Sequence, residues 1–417
     1  MVQRFVRFFS IALCVMGGVT GQTALTWQQV QDRFRASNPN LKAGELNIQE
    51  SKAAEITAYL RPNPDFSIAI DQLDFFSGNP YRPFQYAFPG ISFDYLHERQ
   101  HKRELRLESA KGGTSIAVSQ QEDLERTLIF TLRTAFVQVL QAKALLASAK
   151  ENLDYFDKEL AINRERFRAG DIARVDLDRI ALQRVQYESD YQTALVNQRT
   201  SKITLLMMLN DRTAVDQFDV SGSFEFREPI LKLDDLHTIA LAARPDLRAA
   251  MQAVQKAQTD HKLAVANGST DPTFSADFGH NPPIPLYMGV SVSIPLRIFD
   301  RNQGEKARTQ IDIQHAERQK DAAQAQVFND VDSAYYTVIS SVNLLRPYKE
   351  KDGYLEVAGR IRDTMSFSYQ RGQAALVDYL DAQRDYRATQ VAYINLVGAY
   401  LTAASQLNMA VGREAIP

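Results

Sequence analysis

Hydrophobic positions along this chain of 417 residues follow two different periods. From 288 to 296 they alternate, with Met288, Val290, Val292, Ile294 and Leu296 on one side and Gly289, Ser291, Ser293 and Pro295 on the other. A period of two marks a strand with one apolar face and one small or polar face. The same alternation occurs at Phe66–Ile70, Ile91–Tyr95 and Phe274–Phe278, so four strands are expected. Pro89-Gly90 shifts the phase of the second, as a bulge would. Around the first hairpin, Phe75, Phe76, Tyr81, Phe84, Tyr86, Phe88, Phe93 and Tyr95 are expected to pack together. Such aromatics suit either the interfacial girdle of a membrane barrel or the core of a small soluble sheet.

Just after Leu296 the chain turns polar and helix-prone, "DRNQGEKARTQIDIQHAERQKDAAQAQ". Apolar residues now recur at helical spacing, as in Leu124, Leu128, Leu132, Ala135, Val139 and again in Val327, Val331, Tyr335, Val338, Val342. The remaining faces are Gln, Arg, Lys, Glu and Asp, so the stripes are narrow, as in coiled coils. No proline lies between Ile91 and Glu228. A helix of about 65 residues before Gly170 would be on the order of 100 Å long, which implies an elongated helical body. Pro347 is expected to kink the corresponding helix of the second half.

The second half is a copy of the first. "RFRAGDIARVDLDRIALQ" (166–183) aligns without gaps on "SYQRGQAALVDYLDAQRD" (368–385), with Gly170 on Gly372 and Asp176 on Asp378. Upstream, "ASNPNLKA" (36–43) matches "AARPDLRA" (242–249), and "NPDFSIAI" (63–70) matches "DPTFSADF" (271–278). Repeats are therefore expected at 25–212 and 231–412, joined by a linker at 213–230 and followed by a tail at 413–417. Each would hold a helix, a β-hairpin (about 64–96 and 272–296) and long helices. The helices are expected at about 97–165 and 172–210 in the first copy, and about 300–367 and 374–411 in the second.

Charge adds little, because a formal net charge of −2 with 24% charged residues gives no polyanion-binding signal. The N-terminus adds more. Arg4 and Arg7 precede an apolar run from Phe8 to about Val19 and then small residues, which reads as a signal peptide over 1–21, cleaved near Gly21 to Ala24. Cys14, the only cysteine, would leave with it, so no thiol, disulfide or thiolate metal site is expected. No later segment approaches 18 consecutive apolar residues, and mean hydropathy is −0.31, so no transmembrane helix is expected. An exported chain of this kind is free in solution or sits in a membrane as a β-barrel. Four strands cannot close a barrel alone; several copies would have to share one.

The exported duplication, each copy helix–hairpin–long helices, resembles the TolC family of outer-membrane efflux ducts. "SIPLRIFDRNQGEKA" (293–307) is similar to the strand-to-helix junction of its CzcC-like heavy-metal-efflux branch, and "GQAALVDYLDAQ" (372–383) to the family's helical-hairpin tip. The resemblance implies a mainly α fold with a small membrane β part. It implies a homotrimer with a shared twelve-stranded outer-membrane barrel and a periplasmic tunnel of coiled-coil helices. The partners implied are a periplasmic adaptor and an inner-membrane pump of the RND type, in a Gram-negative bacterium, and no cofactor is implied. Tip turns would lie at Gly170 and Gly372. Asp378, Asp381 and Asp176 match acids that line the tunnel constriction, and Tyr369 matches a tip tyrosine. The family's arginine two residues after the tip glycine is replaced by Ala374. The lipid-facing residues would be Phe66, Ile68, Ile70, Ile91, Phe93, Tyr95, Phe274, Phe278, Met288, Val290, Val292 and Ile294. The junction leans towards metal cations as cargo, and small organic compounds stay open.

Asp378 and Asp381 are i, i+3 on one helix face, so three-fold symmetry would turn each into a ring of carboxylates that attracts cations. Alternatively, Asp378 and Asp176 simply favour a helix N-terminus. One further motif competes. "HERQH" (97–101) spells H-E-x-x-H, in which two helical His bind zinc and Glu is the base. That reading would make a secreted metallohydrolase of His97, Glu98 and His101. It is disfavoured, because the setting is a charged helix start rich in Arg99, Lys102 and Arg103, and the duplication aligns it with the structural junction "FDRNQGEK" (299–306). A third reading is a soluble periplasmic coiled-coil protein.

Overall fold

The computed structural model describes residues 24–73, 75–76, 80–230, 232–281 and 284–416. The expected signal peptide and Cys14 lie outside them. The elements, in order, are α1 (Trp27–Ser37), α2 (Pro39–Tyr59), β1 (Asp65–Asp71), β2 (Phe88–Leu96), α3 (Lys102–Arg168), α4 (Arg174–Met208), α5 (Leu233–Ala243), α6 (Pro245–Asn267), β3 (Thr273–Asn281), β4 (Ile284–Ser293), α7 (Gln303–Lys349), α8 (Tyr354–Gln370) and α9 (Leu376–Val411). Two compact units form: residues up to Ala36 with Ala135–Phe224, and Ser37–Thr134 with Glu225 onward. The 67-residue α3 begins in the latter and ends in the former.

The unit containing Ala135–Phe224 is built on the hairpin of α3 and α4. Phe156 stacks on Tyr187 at 4.6 Å, and Arg184 pairs with Asp157 across the two helices. The segment after α4 returns to the N-terminal end: Leu25 bridges Val220 in parallel, and Asp219 accepts from Lys143 (2.8 Å) and forms an ion pair with Lys202 (3.2 Å). Val30, Phe34, Phe136, Leu205 and Val220 are buried here.

The other unit holds the sheet and the second set of helices. Along α7, Val327, Val331, Ala334, Val338, Val342 and Leu345 are buried at spacings of three and four, the a/d seam of a coiled coil. Val397, Tyr400, Ala404 and Leu407 of α9 are buried as well, and α9 packs on α7. α3 contains one 18-residue window of mean hydropathy 1.2, long and apolar enough to cross a membrane by length and composition alone, contrary to the expectation from apolar runs. Within α3, Leu132, Phe136 and Val139 are at most 2% exposed, while 39% of that window is buried overall.

Pro347 does not kink a continuous helix. It sits in the last turn of α7, which ends at Lys349, and α8 restarts at Tyr354 after Asp352 takes a left-handed φ of 58°. A proline so near a helix end removes one of the few remaining backbone bonds, and the helix stops there instead of bending through.

Candidate functional site

The four strands form one antiparallel sheet in the order β1-β2-β3-β4. Its register aligns Phe66 with Phe93, Phe93 with Ala276 and Ala276 with Val290; one step along, Ile68, Ile91, Phe278 and Met288 form the next row. Directly paired residues point to the same face. Phe66, Ile68, Ile70, Ile91, Phe93, Tyr95, Phe274, Phe278, Met288, Val290 and Val292 therefore share one face, and all but the half-buried Tyr95 are exposed, Val290 to 77%. Ile294 lies one residue beyond β4, which runs Ile284–Ser293, starting four residues before the expected strand and ending three before Leu296.

No bulge occurs at Pro89-Gly90. The ladder to β1 runs straight through both residues, and the ladder to β3 begins only at Gly90, where Pro89 owes it no N–H. The irregularity falls between Gly279 and Asn281 instead. The first-hairpin aromatics do not pack as one cluster either: Phe75, Phe76, Tyr81, Phe84 and Tyr86 are exposed, and Phe88 turns to the opposite face to stack on Tyr287 at 5.5 Å.

The opposite face carries Ser, Ala, Asp and Gly, as alternation predicts, and strand pairing gathers its acids. Asp65, Asp71, Asp94 and Asp277 all lie on it, among Ser67, Ser92, Ser275 and Ser291, with Asp65 directly opposite Asp94. Ser275 Oγ donates to Asp94. The four strands contain no Lys or Arg, so this face carries fixed negative charge only.

The helical tips are built identically in both copies. Gly170 (φ 84°) donates to the Phe167 carbonyl at 3.0 Å and Asp171 to Arg166 at 2.8 Å; Gly372 (φ 72°) donates to Tyr369 at 3.0 Å and Gln373 to Ser368 at 2.8 Å. Each is a Schellman ending with glycine in the left-handed position that an L side chain disfavours. The next helices start after Ala173 (φ −72°, ψ 154°) and Ala375 (φ −73°, ψ 154°) with no side-chain cap. Asp176 and Asp378 thus occupy the third helical position, where the N-terminal dipole favours a carboxylate. Asp378 is exposed, while Asp381 pairs with Arg384 at 3.2 Å. Tyr369 is buried and stacks on Tyr379 at 5.1 Å, nearly parallel, tying α8 to α9 at the tip. Near Asp176, Arg174 pairs with Asp178 at 3.0 Å.

"HERQH" does not form the helical face that zinc ligation needs. α3 starts at Lys102, after the motif, and Gln100 and His101 both have left-handed φ. Glu98 is forked by Arg106, and His101 is 87% exposed. Among the described residues no three His, Cys, Asp or Glu gather as a metal set.

The chain thus presents an open sheet, apolar on one face and acidic on the other, whose strands β2 and β4 lead into the long helices α3 and α7. Residues 236–413 match the family model for outer membrane efflux proteins. The chain is 22% identical over 401 residues to the cobalt-zinc-cadmium resistance protein CzcC of Cupriavidus metallidurans, covering 93% of this chain and 90% of that one. It is 23% identical to outer membrane protein TolC of Escherichia coli, covering 89% and 79%. Among solved structures, CusC superposes with a TM-score of 0.77 at 17% identity over 93% of this chain and 92% of that one. The Neisseria gonorrhoeae outer membrane channel MtrE, in its open state, gives 0.75 at 15% identity, covering 93% and 89%. These likenesses support a TolC-family outer-membrane efflux protein.

Proposed function

We propose that this chain is the passive exit duct of a tripartite efflux system, a homotrimer that receives cargo from an inner-membrane RND-type pump through a periplasmic adaptor. The observation that carries this reading is the sheet. Its apolar face is exposed, and among the described residues β1 and β4 each pair on one side only. Lipid offers no partner to a free strand edge, so other copies must cover those edges, and a cyclic ring closes the barrel. Family likeness favours three copies of four strands.

In that assembly the apolar face meets lipid and the acidic face lines the lumen. The tips at Gly170 and Gly372 close the tunnel, with Asp378, Asp381 and Asp176 at the constriction and Tyr369 holding it. Heavy-metal cations are favoured as cargo by likeness to CzcC, whose name states cobalt, zinc and cadmium resistance, and by the acidic lining.

Native mass spectrometry of detergent-extracted outer membrane is expected to give three copies per particle; a monomer in the soluble periplasmic fraction would reject the duct. Deleting the gene is expected to sensitise cells to cobalt, zinc or cadmium. Sensitisation only to organic toxicants would reject the metal cargo and leave the duct standing.

A further inference from the structure

The turn that imitates a zinc motif opens a cavity of about 390 Å³, lined by Arg61, Tyr95, His97, Arg99, His101 and Arg103 among others. The acids around it are already matched. Arg106 forks Glu98, Arg103 holds Glu104 at 3.1 Å, and Lys102, 4% exposed, holds Asp271 at 2.6 Å. The Arg99 backbone N–H also donates to Asp271, at 2.9 Å. Arg61 and Arg99 have no carboxylate partner among the described residues. Arg61 reaches only the Tyr95 hydroxyl, at 3.4 Å. Two permanent positive charges therefore face the cavity uncompensated.

Position says which anion they suit. His97 continues the apolar face of β2 below Ile91, Phe93 and Tyr95, and its ring lies 6.4 Å from Tyr95 and 6.5 Å from Phe274. The cavity thus opens at the foot of the exposed apolar face, where β2 leaves for the helices. An apolar aromatic wall directly above unpaired guanidinium groups is the profile of a membrane interface, with rings at headgroup level and basic side chains beside anionic lipid.

We propose that this cavity seats the headgroup phosphate of an anionic phospholipid from the periplasm-facing leaflet. The Arg61 and Arg99 side chains donate to the phosphate oxygens, and the acyl chains lie against Tyr95 and Phe274. The His97 and His101 rings supply further polar contacts at its rim. Three such sites around a trimer would fix the depth of the barrel in the membrane. This inference rests on the sheet lying in lipid as proposed above.

The test is native mass spectrometry of the intact oligomer in detergent, titrated with phosphatidylglycerol, phosphatidylcholine or inorganic phosphate. Wild type is expected to retain phosphatidylglycerol over phosphatidylcholine. That preference should fall about fivefold for each of Arg61→Gln and Arg99→Gln, the usual attraction of one basic side chain for an anionic surface. The double Arg→Lys variant should keep most of it, which separates lost charge from lost folding. An unchanged preference in the double Gln variant would overturn the site. Binding of inorganic phosphate without the lipid would overturn the lipid assignment. Both outcomes are read on assembled, membrane-extracted oligomer, so neither depends on whether the duct reading fails; a soluble monomer would signal that failure instead.

Discussion

Asn38 and Arg244 occupy the same place in the two copies, each just before a proline that opens a helix. Asn38 caps in the usual way, accepting from the Asn40 and Leu41 N–H groups at 2.9 and 3.2 Å. Arg244 cannot accept, and its buried guanidinium does something else: it holds Asp246 (2.6 Å), Asp330 (2.8 Å) and the Ala410 carbonyl (3.2 Å), joining α6, α7 and α9. Burial alone would raise the Asp246 pKa, but the hydrogen bonds and charge of Arg244, with Arg126, outweigh it and leave the carboxyl below its ordinary range. A depressed folded value means that the stabilisation is complete above the unfolded pKa of about 3.9 and disappears as pH falls through the folded value. Replacing Arg244 with Met is expected to cost about 3 kcal/mol in detergent unfolding at neutral pH, because Asp246 and Asp330 both lose its buried guanidinium. The variant should also lose less further stability than wild type between pH 5 and pH 2 (about one pKa unit above and two below that value). Equal acid sensitivity in the two proteins would show that the pair does not set it.

The proposed duct puts strands and helices in different solvents, and substitutions on adjacent residues of β4 should reveal this. Val290 lies on the apolar face and Ser291 on the acidic one. An Arg at a lipid-facing barrel position costs about 2–4 kcal/mol near the bilayer midplane, whereas lumen substitutions tune selectivity. Val290→Arg is therefore expected to deplete the protein from the outer-membrane fraction on immunoblots, and Ser291→Arg to assemble normally. In planar bilayers Ser291→Arg should move the reversal potential away from cation preference; equal assembly of both variants would contradict the assignment of faces. At this scale much was legible. The period-two runs marked all four strands, and the aligned glycines marked both tips, because alternation and left-handed turns impose local residue choices. The ends of elements were not. β4 begins at Ile284-Pro285, where prolines hide the alternation, and α7 stops at Lys349 because Pro347 lies too near its end to act as a kink. The motif "HERQH" misled for a related reason: spacing says nothing of φ, and Gln100 and His101 are left-handed. The acidic face needed register to be seen, since Asp65, Asp94 and Asp277 are distant in sequence and are brought together only by strand pairing.

If the proposed duct is to control passage and attract its cargo, the carboxylates assigned to its constriction should bear on both. If three copies surround one axis, Asp378 and Asp381 each become a ring of three, yet they are not equivalent. Asp381 is paired with Arg384, so its ring is partly neutralised, while Asp378 is exposed at the third position of α9. An exposed i, i+3 pair is worth little as a bond, but its cation still offsets charge at the mouth. Asp378→Asn should therefore weaken block by divalent cations more than Asp381→Asn does, and Arg384→Gln should strengthen block by releasing Asp381. Tyr369 works differently, through its stack on Tyr379 between α8 and α9. Tyr369→Ala should raise single-channel conductance by loosening the tip while leaving divalent affinity near wild type. Recording all four variants in planar bilayers separates charge from packing. If block is the same in Asp378→Asn, Asp381→Asn and Arg384→Gln as in wild type, the acids do not line the constriction; if conductance alone is unchanged in Tyr369→Ala, the aromatic stack does not hold it shut.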